Sequence, residues 1–212
     1  MKTVLVTGFE PFGGDTVNPA QEIARSLHGR IIARRQVVSG LLPCVFGASR
    51  RELDRLLRVH RPELAICLGQ AGGRADITPE RVAINVDDAR IADNAGAQPV
   101  DRPVIKGGPA AYWSTLPIKA IVAALREHRV PASVSQTAGT FVCNHVFYGL
   151  MHALRRKPGV RAGFIHVPNL PEQAKRDQPS LPLEMMVYGV ALAIEVALTT
   201  RRDVRVSGGK AD

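Results

Sequence analysis

The sequence predicts an α/β fold: one domain on a mostly parallel, twisted sheet with helices against both faces. Three observations carry that expectation. Segments of strand character alternate with segments of helical periodicity along most of the 212 residues. One strand segment, Leu64-Ala65-Ile66-Cys67-Leu68, is apolar without interruption, which suits a strand covered on both faces. A chain of this length with 45% hydrophobic residues also has enough apolar material for a sizeable single core. Ligands of such sheets bind beyond the carboxyl ends of the strands. Function is therefore to be sought in the loops after Thr7, Leu68, Gln136 and Val167.

The elements follow in order. Residues 3–7 are β-branched and apolar and enter Gly8, which marks a first strand. The loop Gly8-Phe9-Glu10-Pro11-Phe12-Gly13-Gly14-Asp15 leads to Asn18-Pro19, a capping residue with proline at the first helical position. Ile23, Ala24 and Leu27 give that helix its apolar face. Residues 31–38 read as a strand, 46–60 as a helix with Leu53, Leu56 and Leu57 inward, and 64–68 and 77–86 as strands. Residues 87–106 are rich in Asp, Ala, Gly and Pro and form an irregular excursion. Beyond them come a helix at 114–129, a strand at 132–136, a helix at 140–156, a strand at 162–167 and a helix at 183–198. The last helix is apolar on more than one side, which fits a buried helix and a subunit contact equally well. No repeat or linker breaks this order. Residues 1–200 are expected to be one domain and 201–212 a basic, disordered tail.

Composition excludes several classes. Cys44, Cys67 and Cys143 are too few, and odd in number, for a disulfide framework. No CxxC or HExxH spacing occurs, so no metal is expected. No apolar run approaches the ~20 residues that cross a bilayer. Val4-Leu5-Val6 is too short for a signal peptide. The expectation is a cytoplasmic protein without a membrane partner. The formal charge of +9 raises nucleic acid as a partner. The basic residues, however, are scattered or sit in short pairs such as Arg34-Arg35, and no stretch interleaves them with aromatic rings as a stacking platform would. A solvated basic surface accounts for the charge, and no nucleic-acid partner is expected.

Cys67 and Cys44 sit in apolar runs and read as small buried hydrophobes. Cys143 follows the small-residue turn Thr137-Ala138-Gly139-Thr140, where Thr140 caps the next helix and puts the thiol in its first turn. The helix dipole and unpaired N–H groups there favour a thiolate and suit an oxyanion. A buried structural cysteine is the competing reading. A nucleophile needs a base. Of the six histidines, His28, His60 and His128 lie at helix C-termini and read as dipole caps. His145 faces away from Cys143 on a helix, and His152 packs or meets water. His166 ends an apolar strand, where the crevice argument places a functional group; a satisfied core histidine is its alternative. Glu80, just ahead of Val82-Ala83-Ile84, is a candidate to hold the imidazole tautomer, against an ordinary ion pair with Arg81 or Arg74. The Gly8…Gly13-Gly14 cluster lacks the G-x-G-x-x-G spacing, and Phe9 and Phe12 would crowd a pyrophosphate. No nucleotide cofactor is expected. Two phenylalanines beside glycines suggest an apolar slot for a flat ring instead.

Four segments in register make a specific pattern: Gly8-Phe9-Glu10-Pro11-Phe12-Gly13-Gly14; Gly69-Gln70-Ala71-Gly72-Gly73-Arg74 running into Glu80-Arg81-Val82-Ala83-Ile84-Asn85; Thr137-Ala138-Gly139-Thr140-Phe141-Val142-Cys143-Asn144; and Gly163-Phe164-Ile165-His166-Val167-Pro168. Together they closely resemble the pyroglutamyl peptidase I family over residues 1–200. The resemblance implies a three-layer α/β/α cysteine peptidase that removes N-terminal 5-oxoproline from peptides and needs no cofactor. It implies a triad of Glu80, Cys143 and His166, with Arg90 near the oxyanion. Phe9 and Phe12 would hold the lactam ring, with Asn18, Gln70, Ile91 and Val142 at or near the pocket. A homo-oligomer, tetramer or dimer, is implied as well. One departure is Ala92, where the family pattern has proline; it bears on the loop of Arg90. The rival readings are a purine-nucleoside-phosphorylase-like enzyme, which would need phosphate and not Cys143, and a basic RNA-associated module, which would show salt-sensitive binding.

Overall fold

The computed structural model describes residues 2–175 and 178–208. Along the chain run β1 (Thr3–Phe9), α1 (Pro19–Leu27), β2 (Ile31–Ile32), β3 (Arg35–Leu42), α2 (Ala48–His60), β4 (Leu64–Gln70), β5 (Thr78–Ile84), β6 (Ala111–Trp113), α3 (Ile118–Glu127), β7 (Ser135–Thr137), α4 (Val142–Leu154), β8 (Arg161–Val167) and α5 (Leu183–Thr199). The strands form one sheet in the order β2-β3-β1-β4-β8-β5-β6, with β7 beside β5. Its centre, β3-β1-β4-β8, is parallel. β5 runs antiparallel to β8 and β6, and β2 antiparallel to β3. The sheet is thus parallel at its centre and mixed at its margins, with the change of direction falling between β8 and β5.

Period-two alternation sorts the core into two halves. Val4, Val6, Ile66, Leu68, Ile165 and Val167 meet α1, α3 and α5 on one face. Leu5, Ala65, Cys67 and Phe164 meet α2 and α4 on the other. The uninterrupted apolar run of β4 is thereby explained: both of its faces are covered. Each fully buried aliphatic side chain contributes roughly 1.5–3 kcal/mol.

Three expectations change in detail. The strand expected at 31–38 is a hairpin, because Ala33 and Arg34 take φ of 44° and 64° and turn the chain. A two-residue turn with both central φ positive usually advertises itself with Asn or Gly, and here it does not. The helix expected from 114 starts at Ile118, after Pro117. Ser114 and Thr115 instead bond the Ala162 carbonyl with their hydroxyls, and residues 111–113 pair with β5. The tail differs too. The Asp203 carboxylate accepts from Lys119 N and Ala120 N at 3.2 and 2.8 Å, capping the uncapped start of α3, and Gly208 O accepts from Arg81. Residues 209–212 lie outside the described residues. Among the described residues no helix is long and apolar enough to cross a membrane.

Candidate active site

Three neighbouring strands and one helix end bring the candidate residues together. In β8, His166 is the register partner of Gly69 on β4 and of Thr78 on β5. Glu80 is two residues beyond Thr78 and leaves β5 on the same face. Its Oε1 lies 2.7 Å from His166 Nδ1, with both side chains buried. Cys143, half-buried, is the second residue of α4, which packs on that face. Gly69 lets the sulfur reach the strand: a Cβ there would stand 2.9 Å from Cys143 Sγ and 2.8 Å from Phe164 Cζ. The ring of Phe164 in turn lies 4.8 Å, centroid to centroid, from that of His166. The sulfur thus lies against Gly69, Gly69 is the strand partner of His166, and His166 holds the Glu80 carboxylate.

The electrostatics depart from the expectation drawn from the helix dipole. Burial, joined by the Cys44 thiol and the Glu80 charge, raises the Cys143 thiol far above its ordinary value; the Arg74 cation opposes this. The environment of Cys143 therefore favours a thiol at rest. Thr140 does not cap the helix. The N-cap position is Phe141, without a side-chain bond, and the Thr140 hydroxyl donates to Asp88 O at 2.7 Å. The first-turn N–H groups of α4 thus keep no side-chain cap. Cys44 and Cys67 are buried, and burial is the main cause that pushes each thiol up to about 12, consistent with packing roles.

The expected pocket residues divide. Phe9 is 2% exposed and tilts against Phe164 at 6.4 Å, as part of the core. Phe12 is half-buried and lies 6.2 Å from Phe141. The two phenylalanines therefore touch different rings. Val142 is buried, and Arg90 and Ile91 are exposed on the loop after β5. Asn18 is buried and fully occupied: its Oδ1 caps Ala20 N at 3.0 Å and its Nδ2 donates to Glu10 O at 3.2 Å. Gln70 donates to Asn169 Oδ1 at 2.9 Å and Asp15 Oδ2 at 3.1 Å, while its own oxygen is buried without a partner. Among the described residues no group of His, Cys, Asp and Glu is arranged to hold a metal.

Several participants had no signal of their own in the sequence. Arg74 was weighed only as an ordinary ion-pair partner; its Nη1 donates to Glu80 Oε1 at 2.8 Å and Thr78 Oγ1 at 2.6 Å. His145 does face away from Cys143, but into a buried pair: its Nδ1 is 2.8 Å from Asp87 Oδ2, and its Nε2 accepts from Gly47 N at 3.0 Å. Asn144 bonds Ile84 N, Ile84 O and Val86 O. Phe46 sets its edge on Phe141 at 5.5 Å and on His145 at 5.4 Å. A spatial neighbour across tens of residues is invisible to local pattern.

Comparison with known proteins agrees with this architecture. The family model of pyroglutamyl peptidase matches residues 2–200. The pyrrolidone-carboxylate peptidase of Cupriavidus necator is 59% identical over 214 residues, covering 99% of each chain. That of Chromobacterium violaceum is 61% identical over 211 residues, with the same coverage. Among solved structures, pyroglutamyl peptidase I from Bacillus amyloliquefaciens superposes with a TM-score of 0.95 at 48% identity, covering 97% of this chain and 99% of that one. Pyrrolidone carboxyl peptidase from Thermococcus litoralis gives 0.94 at 39% identity, covering 98% and 100%. The fold and these matches define a class, the cysteine peptidases. Within it, this chain belongs to the pyroglutamyl peptidase family. The purine-nucleoside-phosphorylase-like alternative is not supported.

Proposed function

We propose that this protein hydrolyses the bond after an N-terminal pyroglutamyl residue of peptides, with Cys143 as nucleophile, His166 as acid and base, and Glu80 as the orienter of the imidazole. The observation that carries the reading is the 2.7 Å bond from His166 Nδ1 to Glu80 Oε1 beside a sulfur seated on Gly69. With Nδ1 engaged, Nε2 is the nitrogen for the sulfur. Because burial holds Cys143 as a thiol, its proton moves to His166 as the sulfur attacks the pyroglutamyl carbonyl. The tetrahedral oxyanion is met by first-turn N–H groups of α4 and by Arg90; one such donor is worth about 10²–10³ in rate. His166 then protonates the leaving amine, and water, activated by the same imidazole, hydrolyses the thioester to release pyroglutamate and the thiol.

Selectivity follows from desolvation. A lactam presents apolar faces to Phe12 and its neighbouring rings and one polar edge to the backbone. An uncyclised glutamyl end would carry an ammonium and a carboxylate into the same slot at a steep cost. Residues 1–200 form the catalytic unit in this reading. Three free cysteines suit a reducing cytoplasm. Exposed Tyr188 and Ile31 beside α5 suit a homo-oligomer.

The test is release of a fluorogenic amine from a pyroglutamyl amide, with and without a thiol alkylator. Cys143→Ser should bind the amide and lose nearly all turnover; full turnover in that variant would end the proposal. Alkylation supplies the pH check. In His166→Ala, iodoacetamide should react slowly at neutral pH and accelerate only above the range of an ordinary thiol, since the thiol is raised. Fast neutral-pH alkylation in that variant would show a pre-formed thiolate.

A further inference from the structure

We infer that Arg74 is a positioning residue of this site: its guanidinium keeps the Glu80 carboxylate charged and aimed at His166, and thereby sets the acid edge of the range in which the enzyme works. The inference rests on the Cys143–His166–Glu80 reading and extends it to a residue outside the three.

The geometry is specific. Glu80 has no exposed side-chain surface, and its Oε2 is buried without a partner. Its other oxygen, Oε1, takes both Arg74 Nη1 at 2.8 Å and His166 Nδ1 at 2.7 Å. A carboxylate this deep in protein keeps its charge only beside a cation. His166 cannot supply that cation while it serves as the base, because it must then be neutral. Arginine can, because it holds its charge at any working pH. The side chain of Arg74 is one-third exposed (33%), so the guanidinium stays partly hydrated while one nitrogen reaches the buried oxygen. The same nitrogen donates to Thr78 Oγ1 at 2.6 Å, and Thr78 is the register partner of His166. Arg74 is therefore indexed to both members of the pair. Its own backbone is placed by a turn, Arg74 N to Ala71 O at 3.3 Å, with Gly73 at φ +85°.

The groups facing Glu80 are Arg74 from the loop after β4, Thr78 on β5, His166 on β8 and Cys143 on α4. The cation acts on the pair in one direction. Removing it makes a proton easier to place on the carboxylate and on the imidazole alike. Either event disables the base, so both move the acid limb of activity toward higher pH.

The experiment is the pH dependence of kcat/KM on a pyroglutamyl amide for the wild type, Arg74→Gln, Arg74→Met and Arg74→Lys, with Cys143→Ser as reference and a thermal melt on each. Arg74→Gln and Arg74→Met should move the acid limb up by about one pH unit. On the acid side kcat/KM should fall roughly ten-fold per unit moved. The loss in kcat/KM should be largest on the acid side and carried by kcat, with KM little changed. Arg74→Lys, which keeps the charge, should return the limb most of the way. An acid limb that stays in place in a folded Arg74→Gln or Arg74→Met variant overturns the inference, as does a loss that is the same at every pH. If neither neutral variant folds, Arg74→Lys decides: a limb displaced by a full unit despite the retained cation overturns it, and a near-native limb supports it. Turnover surviving in Cys143→Ser would instead overturn the parent reading, so the two failures are distinct.

Discussion

Two histidine–carboxylate pairs are attached to the first turn of α4 or lie beneath it, and they have almost the same geometry. His166 Nδ1 lies 2.7 Å from Glu80, and His145 Nδ1 lies 2.8 Å from Asp87. All four side chains are buried. The difference is in the second nitrogen. His145 Nε2 accepts from Gly47 N at 3.0 Å, so that ring must carry its proton on Nδ1 and has nothing left to exchange. Among the described residues His166 Nε2 takes no backbone donor, and its strand partner Gly69 lies against the Cys143 sulfur. The carboxylates differ in the same sense. Asp87 is tied by its backbone to Arg102 in both directions, at 2.7 and 3.0 Å, whereas Glu80 is served by a partly exposed guanidinium from the loop after β4. One pair is closed and works as a staple between α4, the 46–47 corner and the loop of Arg90. The other is open and is the reagent in the proposed mechanism. A histidine–carboxylate bond alone therefore does not single out a reagent; the proposal rests on the unspent nitrogen.

The sharpest way to break this contrast is Glu80→Gln. The amide can donate to Nδ1 and force the wrong tautomer, which in a triad of this type lowers kcat by about 10⁴. KM should hardly move. Steady-state kinetics at the pH optimum settles it, and a loss of less than ten-fold would mean that the Glu80 bond is as passive as that of Asp87.

Much of this layout was legible in the sequence, and the gaps have physical causes. The alternating strands, the bare apolar run of β4, the Asn18-Pro19 start of α1 and the long helices α4 and α5 follow from local periodicity and capping, so they could be read. Chemistry and strand ends make Cys143, His166 and Glu80 candidates, and the family resemblance singles them out. The two-residue turn at Ala33-Arg34 was missed because neither residue is a turn former. Arg74 and His145 were weighed as ordinary because their roles depend on partners 6 and 58 residues away. Phe9 and Phe12 looked like a pair in sequence, yet the end of β1 points Phe9 into the core while Phe12 is left on the loop. Thr140 is a good capping residue spent elsewhere, on Asp88.

The closed pair gives the next test. His145→Ala leaves Asp87 buried with its partner removed and Gly47 N without an acceptor. Loss of one member of such a pair destabilises by roughly 3–5 kcal/mol, which for a chain of this size is a fall in Tm of about 10 °C. The loop of Arg90 loosens with it, so kcat/KM should drop by about ten-fold through KM, given what misplacement of positioning groups does to rate. Alkylation of Cys143 should be nearly unchanged, because His166 and Glu80 are untouched. His145→Gln, which keeps one donor and one acceptor, should recover part of the melt. An equal collapse of turnover and alkylation in His145→Ala would mean that the two pairs are not separable.

The smallest effect should come from Thr140→Val. Its hydroxyl gives one 2.7 Å bond to Asp88 O, while the backbone bond from Asp88 N to Thr140 O at 3.0 Å survives the change. A bond of this kind contributes about 0.5–1.5 kcal/mol, and this one is open to solvent, so the lower end applies. The melt should fall by only a degree or two. What the variant isolates is the link between the Arg90 loop and the turn that carries the sulfur. If the staple at His145 and Asp87 is what holds the loop, KM should rise no more than two- or three-fold. A ten-fold rise in KM with an unchanged melt would shift the burden of loop placement from the buried imidazole to this hydroxyl, and the closed pair would then be a core feature with no part in substrate binding.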